Sequence, residues 1–301
     1  MTAVFVEDGV DKGAIWHFGE PNKEQKALVA GTAWADLSHS NVIAVSGADR
    51  LKWLHDLTTQ HLSELGAGQW TSALILDAQG HVEYQFNLVD DGDTTWLVID
   101  PGYIDTLVAY LQKMKFMLRV DVRDASSEYV VLRAPGLVTE IGGPFALVPR
   151  SELTEMQETF GATAMQVGTW ALDAERVSAG RPRIAFDTDH KSIPNELGVL
   201  NKSVHMNKGC YRGQETVAKI FNLGNPPRRL VMLHLDGSQV VMPAPGTPVM
   251  NGEVKVGFLG TVARHFELGP IALAVVKRTT PVDAQLTVAD VAASQQVIVP
   301  A

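Results

Sequence analysis

Two adjacent prolines, Pro226 and Pro227, separate two parts of the chain that carry different patterns of apolar residues. Before them, helical periods alternate with strand-like runs. After them almost no helical period remains, and short apolar runs are interrupted by glycine, proline and asparagine. This change predicts an α+β region over residues 1–225 and a small antiparallel barrel or sandwich over residues 226–301, with the two prolines as a stiff joint.

The elements of each part follow from periodicity and turn residues. Helices are predicted over residues 21–30 and 103–116, and a further helix is predicted after Ser46, which we expect to cap it. In the second part, Asn251-Gly252 lies between two alternating runs and predicts a hairpin. Several strands follow each other through short turns, which favours α+β layers over a doubly wound parallel sheet. The strands predicted in the first part cover residues 41–45, 69–76, 81–89, 94–99, 117–122 and 129–132.

The chain has 301 residues, a net charge of −9 and a single cysteine, Cys210. One cysteine excludes an intrachain disulfide, a CxxC redox pair and an iron–sulfur cluster held by this chain alone. The acidic balance argues against direct binding of nucleic acid. The first residues show no signal-peptide pattern, and apolar stretches such as Ile271–Val276 are far shorter than the ~20 residues of a membrane helix. We therefore expect a cytoplasmic protein that binds no membrane.

Several common catalytic motifs are missing from the sequence. There is no GxxxxGK[ST] phosphate loop, no GxGxxG after a strand, no HExxH and no GxSxG. His55 and His61 are six residues apart, a spacing that matches neither one face of a helix nor a known ligand pair. No metal site is predicted.

Residues 207–219 carry the strongest local signal for chemistry. Gly209 and Gly213 flank a polar core that contains Cys210, and glycines permit a close approach of the backbone to a ligand. A helix beginning near Gly213 would place the thiol just before a positive helix end, and Lys208 and Arg212 add positive charge; all three effects lower the pKa of a thiol. Residues 200–230 carry six Lys and Arg side chains against one acidic residue, a local charge of +5 that would attract a small anion.

Two interpretations of this segment remain open from the residues alone. A lone cysteine is often a small buried apolar side chain, and a glycine-rich loop is often only a turn. The polar, glycine-bounded surroundings of Cys210 instead favour an anion-facing loop with an activated thiol.

The segment Lys208-Gly-Cys-Tyr-Arg-Gly-Gln-Glu215 matches the pattern K-G-C-Y-x-G-Q-E. With this match, the chain resembles the YgfZ family of folate-binding proteins, which are relatives of the glycine-cleavage T-protein, a folate-dependent aminomethyltransferase. Segments that resemble other parts of these proteins are spread over nearly the whole chain, at residues 47–58, 76–80, 176–183, 194–196 and 257–274.

The resemblance implies a fold and a function. The fold would be a T-protein-like cloverleaf of two α+β folate-binding subdomains and a C-terminal antiparallel β-barrel. The protein would be a monomer that binds tetrahydrofolate or a one-carbon derivative. It would act as an accessory protein in the assembly or repair of iron–sulfur enzymes, its client proteins, and would affect tRNA modification indirectly. The functional cysteine of the family falls on Cys210, with Lys208 beside it. The residues implied in folate binding are Tyr211, which would pack on an aromatic ring, Arg212, Gln214, Glu215 and Ser178.

Two positions depart from the aminomethyltransferases. Their catalytic aspartate follows the hairpin glycine, where this chain has Glu83 and Tyr84. Their pterin-binding glutamate is replaced by Ser178, which offers one hydrogen bond and not the paired, charge-assisted contact of a carboxylate. Glycine cleavage is therefore disfavoured. One alternative is a folate-dependent one-carbon transferase that uses Glu83 as its base. Another is a scaffold protein that has lost folate.

Overall fold

The computed structural model describes residues 2–134, 145–238 and 241–300. Within these residues the chain forms two compact units. The first unit comprises Met1–Ile75, Tyr84–Ala171 and Lys202–Arg212, and the second comprises Leu76–Glu83, Leu172–Asn201 and Gly213–Ala301. The boundary that the sequence suggests between residues 225 and 226 stays a prediction.

The helices are α1 (Pro21–Val29), α2 (Arg50–Leu57), α3 (Ile104–Met114), α4 (Leu153–Gly161), α5 (Thr169–Ser178), α6 (Leu200–Ser203) and α7 (Gln214–Leu223), and two short 3-10 helices cover Arg150–Glu152 and Pro194–Glu196. The strands up to α7 are β1 (Val4–Phe5), β2 (Ile15–His17), β3 (Ala33–Asp36), β4 (Asn41–Ser46), β5 (Trp70–Leu76), β6 (Val82–Asp90), β7 (Thr94–Ile99), β8 (Asp121–Asp124), β9 (Tyr129–Arg133), β10 (Phe145–Pro149) and β11 (Met165–Gln166). The strands after α7 are β12 (Arg228–Leu235), β13 (Pro248–Asn251), β14 (Val254–His265), β15 (Gly269–Lys277), β16 (Leu286–Val288) and β17 (Val291–Val297).

The first unit is built on two sheets. One has the order β5-β6-β7-β4-β8 and the other the order β10-β9-β3-β11. Helices α2 and α3 pack on one face of the first sheet, where Leu54 and Leu107 join a core with Leu97. The opposite face of that sheet packs against β9 and β10. This layering confirms the α+β prediction for the first part of the chain.

The second unit contains a closed antiparallel barrel with the strand order β12-β15-β14-β13-β16-β17 among its described residues. The alternating apolar residues of these strands fill its interior. The hairpin predicted at Asn251-Gly252 joins β13 to β14, and Gly252 has a φ of +58° there. A barrel removes the exposed strand edges that an open sheet would leave. Of the two architectures left open by the sequence, barrel or sandwich, the structure has the barrel.

The carboxylate of Asp187 ties α5 to the barrel within the second unit. It is fully buried and accepts hydrogen bonds from the backbone N–H of Thr261 at 2.6 Å and from the Arg176 guanidinium at 2.6 Å. A buried carboxylate is stable only when its oxygens are paired in this way.

Two local predictions are wrong. Ser46 does not cap α2, because it continues β4 in register with Thr94 and the helix begins only after Asp49. The strand predicted over residues 117–122 begins instead at Asp121, because Phe116 adopts a left-handed φ of +46° and turns the chain first. Within the described part of the chain, every helix is too short or too polar to cross a membrane.

Candidate functional site

Cys210 lies in the loop that joins α6 to α7, and its side chain is exposed. The residue before it, Gly209, is also exposed. The residues on either side of this pair are buried: Lys208 is 6% exposed and Tyr211 is 8% exposed. The thiol therefore lies on a short exposed span with a buried side chain at each end.

The ammonium group of Lys208 binds the C-terminal end of α2. Its Nζ donates hydrogen bonds to the backbone carbonyl oxygens of His55 and Thr58. Carbonyls at a helix C-terminus lack partners within the helix and carry partial negative charge, so a cation is stabilised there. Nζ also lies 5.3 Å from the centre of the Tyr211 ring, within the range of a cation–π contact. Burial lowers the pKa of Lys208 to about 8 and raises the pKa of Tyr211 to about 12.

The segment that leads to the loop is bonded to the residues that follow α2. We call residues 202–208 the stem. The backbone N–H of His205 donates to the carbonyl of Thr59 at 2.9 Å, and the hydroxyl of Thr59 donates to the carbonyl of Ser203 at 2.5 Å. The side-chain amide of Gln60 donates to the carbonyl of Lys202 at 2.9 Å. All of these residues belong to the first unit.

Three histidine rings, one of them in the stem, contact each other edge-to-face or at a tilt. The centre of the His61 ring lies 4.7 Å from that of His55 and 5.2 Å from that of His205. Nδ1 of His55 accepts a hydrogen bond from the backbone N–H of Leu62, so its proton is on Nε2 and neither nitrogen has a lone pair free for a metal. Burial, and then the nearby Lys208, lower the pKa of His55. Among the described residues, no group of His, Cys, Asp and Glu is arranged to hold a metal ion.

Two glycines meet in the second unit where α7 begins. Gly213 has a φ of +79°, and a Cβ at this position would lie 2.6 Å from the carbonyl oxygen of Asp77 and 2.8 Å from Cα of Gly80. Only glycine permits this approach. The first turn of α7 then presents Gln214, which is half-buried, and Glu215, which is exposed. An acidic residue is favourable at this positive helix end.

The remaining predicted residues lie on other elements. Glu83 is exposed on β6. Ser178 ends α5, and its hydroxyl donates to the carbonyl of Glu175 in the same helix at 2.9 Å. In the first unit, half-buried Tyr84 makes ring contacts at 6.3 Å with both Tyr103 and Tyr110.

The structure thus brings together part of the predicted set. Lys208, Cys210 and Tyr211 form one local arrangement, with exposed Arg212 next in the chain. Gln214, Glu215, Glu83 and Ser178 belong to the second unit. Their roles, like those of the first group, stay predictions. Sequence reasoning missed the three histidine rings in contact and Thr59. His205 is distant in sequence, and His55 and His61 lie on either side of the end of α2, so neither a helix-face period nor a ligand spacing relates them.

Comparison with known proteins shows which folds and sequences this chain resembles. Residues 3–137 match the model of the GCVT N-terminal domain. The structure of the glycine cleavage system aminomethyltransferase T from Bartonella henselae aligns with a TM-score of 0.81 at 16% sequence identity, covering 98% of this chain and 92% of that chain. This confirms the T-protein-like fold.

Curated relatives carry several kinds of name, of which three follow. A chloroplastic protein of Arabidopsis thaliana named as a transferase is 24% identical, over 87% of this chain and 70% of its own length. The mitochondrial iron-sulfur cluster assembly factor IBA57 homolog of Mycosarcoma maydis is 26% identical over 72% of this chain, which spans only 61% of that protein. The tRNA-modifying protein YgfZ of Serratia proteamaculans is 24% identical, over 86% of this chain and 88% of its own length.

The fold is that of the glycine-cleavage T-protein, and residues 3–137 match its N-terminal domain. The chain is also similar to tRNA-modifying proteins named YgfZ, at 22–24% identity, in keeping with the signature around Cys210.

Proposed function

We propose that this chain is a folate-binding accessory protein for the assembly or repair of iron–sulfur enzymes, with an indirect effect on tRNA modification. The observation that carries the proposal is the exposed Cys210, the only thiol of the chain, held within the family signature. The names of the YgfZ and IBA57 relatives support it. A single exposed thiol is suited to act on a partner protein, because it cannot form an intrachain disulfide.

The described residues fit a folate in part. Tetrahydrofolate has two flat ring systems and an anionic glutamate tail. The ring cluster of Tyr84, Tyr103 and Tyr110 offers half-buried aromatic faces for stacking. The hydroxyl proton of Ser178 is used within α5, so its oxygen would accept one hydrogen bond from an N–H of the pterin edge. Arg212, with Gln214 and Glu215, would bind the polar tail or pterin edge, and Tyr211 would pack beside an aromatic ring. When bound, the folate would supply a carrier for a one-carbon unit.

The alternative function, a one-carbon transferase with Glu83 as its base, is not favoured. Glutamate carries its carboxylate about one bond length further than the aspartate of the aminomethyltransferases, and an error of ~1 Å in placing a reacting group can cost ~100-fold in rate. The pterin-binding carboxylate is also missing at Ser178.

The test uses a bacterial strain that lacks its own YgfZ protein and the full-length chain. We expect the wild type to restore iron–sulfur enzyme activity and thiomethylated tRNA, and Cys210→Ser to restore neither. Because Cys210 is exposed, the serine variant should fold normally and bind tetrahydrofolate like the wild type in calorimetry. Full restoration by Cys210→Ser would refute the role of the thiol. Absence of tetrahydrofolate binding would favour the scaffold, and Glu83-dependent formation of methylene-folate would favour the transferase.

A further inference from the structure

The exposed span that carries Cys210 is flanked by two buried side chains that contact each other. Lys208 and Tyr211 flank the pair Gly209-Cys210, and both are almost fully buried. Their side chains also meet, with Nζ of Lys208 5.3 Å from the centre of the Tyr211 ring. Two buried side chains that contact each other across a two-residue span restrict the conformations of that span.

The chain before this span is fixed in the same way. The stem is bonded to residues 59 and 60 through His205, Ser203 and Lys202. The hydroxyl of Ser203 also bonds that of Ser72 at 2.9 Å. Because Thr59, Ser72 and Ser203 are buried, water does not compete for the two hydrogen bonds that Ser203 makes with Thr59 and Ser72.

The position of Lys208 limits what it can do. A lysine is almost never this buried without partners for its charge, and here the partners are the two carbonyls at the end of α2. An ammonium that left these carbonyls to reach a reactant would leave buried acceptors unpaired, which is costly. As long as the bonds persist, Lys208 is bound to the protein itself.

We propose that Lys208 is a positioning residue: by binding the C-terminal end of α2 and the Tyr211 ring, it fixes the exposed span on which Cys210 lies. The hydrogen bonds between Thr59 and the stem hold the same span, and we call these bonds together with those of Lys208 the clamp. This inference rests on the proposed function only in taking Cys210 as the working residue. It assigns to Lys208 a mechanical role and not contact with folate or a client.

The experiment uses the single thiol as its own reporter. A nitroxide label attached to full-length protein can react only at Cys210, and its spectrum reports how freely the span moves. We expect an immobilised component in the wild type and its loss in Lys208→Met, which keeps the length of the side chain and removes the ammonium. Lys208→Arg should retain the immobilised component, because a guanidinium also donates to carbonyls. Lys219→Met, on the exposed surface of α7, should leave the spectrum unchanged.

A second pair of variants tests the clamp without changing Lys208. Thr58 and Thr59 are adjacent and both buried. The hydroxyl of Thr58 bonds Leu54 within the α2 turn, whereas that of Thr59 bonds the stem at Ser203 and the backbone N–H of Leu74. Thr59→Val should mobilise the label and Thr58→Val should not. Circular dichroism verifies that each variant is folded.

An immobilised label in both Lys208→Met and Thr59→Val would overturn the proposal, as would equal mobility in the two threonine variants. Because the spectrum needs neither folate nor a client, its outcome is separate from that of the complementation test. If the proposed function holds, Lys208→Met should also fail to restore iron–sulfur enzyme activity although it still carries Cys210, and Lys208→Arg should restore it. Full activity of Lys208→Met with a mobile label would show that the position of the thiol does not matter, and the inference would be wrong.

Discussion

At the scale of single residues, the glycine before α7 is a steric requirement. Gly213 and Gly224 bound the same helix and have similar left-handed φ values, +79° and +66°. They differ in what surrounds them. A Cβ on Gly213 would lie within 3.0 Å of backbone atoms of Asp77 and Gly80, whereas a Cβ on Gly224 would meet nothing within 4 Å. The pair therefore separates the cost of the backbone conformation from the cost of the contact.

Gly213→Ala is expected to lower the free energy of unfolding by about 3 kcal/mol, because left-handed strain and overpacking against rigid backbone add. Gly224→Ala should lower it by only about 1 kcal/mol, since it carries the strain alone. Urea denaturation followed by circular dichroism measures both. Equal losses in the two variants would contradict the steric role of Gly213.

Some residues of the candidate site could be predicted from the sequence and others could not. The signature around Cys210 was read directly, because its glycines and charges are adjacent in the chain. The partners of Lys208 were not, because they are backbone oxygens of residues 153 and 150 positions away, and a backbone oxygen has no sequence signal. The same reason hid Thr59, whose hydroxyl binds the carbonyl of Ser203. Sequence patterns identified the loop, and the long-range contacts explain what holds it.

At the scale of elements, the turn between α3 and β8 combines strain with exposed apolar surface. Phe116 has a φ of +46°, an unfavourable conformation for an aromatic residue, although its side chain is 81% exposed and gains little from burial. The base of the turn is fixed, because Arg119 binds the carboxylate of Asp49 through its backbone N–H at 2.9 Å and its guanidinium at 2.7 Å. The prediction of a strand over residues 117–122 was wrong here, because the pattern of apolar residues carries no information about a left-handed backbone conformation.

Phe116→Gly is expected to raise the free energy of unfolding by roughly 1 kcal/mol, because glycine adopts positive φ without strain and almost no buried surface is lost. Met117→Gly is the matched control. Met117 is 99% exposed and does not adopt a positive φ, so glycine there should lower stability by about 0.5–1 kcal/mol through its greater freedom in the unfolded chain. Opposite shifts of the thermal midpoint would confirm the strain. A decrease in both variants would show that the turn is not strained.

At the scale of the whole molecule, the basic segment of residues 200–230 has a smaller surface charge than the sequence suggested. Lys208 and Arg229 are buried, and Arg229 donates to the carbonyls of Arg278 and Thr280. Arg228 is paired with Asp189 and Glu196. Half of the basic side chains of the segment are therefore buried or paired with acidic residues. Attraction of an anion would rest on the exposed ones, which are Lys202, Arg212 and Lys219.

The ion pairs of Arg228 with Asp189 and Glu196 make the stability of the protein depend on pH. Glu196 is 1% exposed and accepts two hydrogen bonds from Arg228, at 3.0 and 2.8 Å. Hydrogen bonds from Arg228 and Ser192 hold the pKa of Asp189 at about 2, against the desolvation that would raise it. A carboxylate with a lowered pKa stabilises the folded state above its unfolded pKa of roughly 4, and this stability is lost as the pH falls through its folded pKa.

Arg228→Met should lower the free energy of unfolding by about 3 kcal/mol at pH 7, because it leaves the buried carboxylate of Glu196 without a counter-charge. The difference from the wild type should shrink as the pH falls from roughly 4 towards 2, because the stability that the pair of Asp189 and Arg228 gives the wild type is lost between the unfolded and folded pKa of Asp189. Arg119→Met removes an exposed partner of Asp49, whose pKa is also held at about 2, and should change the urea midpoint little. Similar losses in the two variants would contradict the role of the buried Glu196. So would a stability difference between Arg228→Met and the wild type that grows as the pH falls.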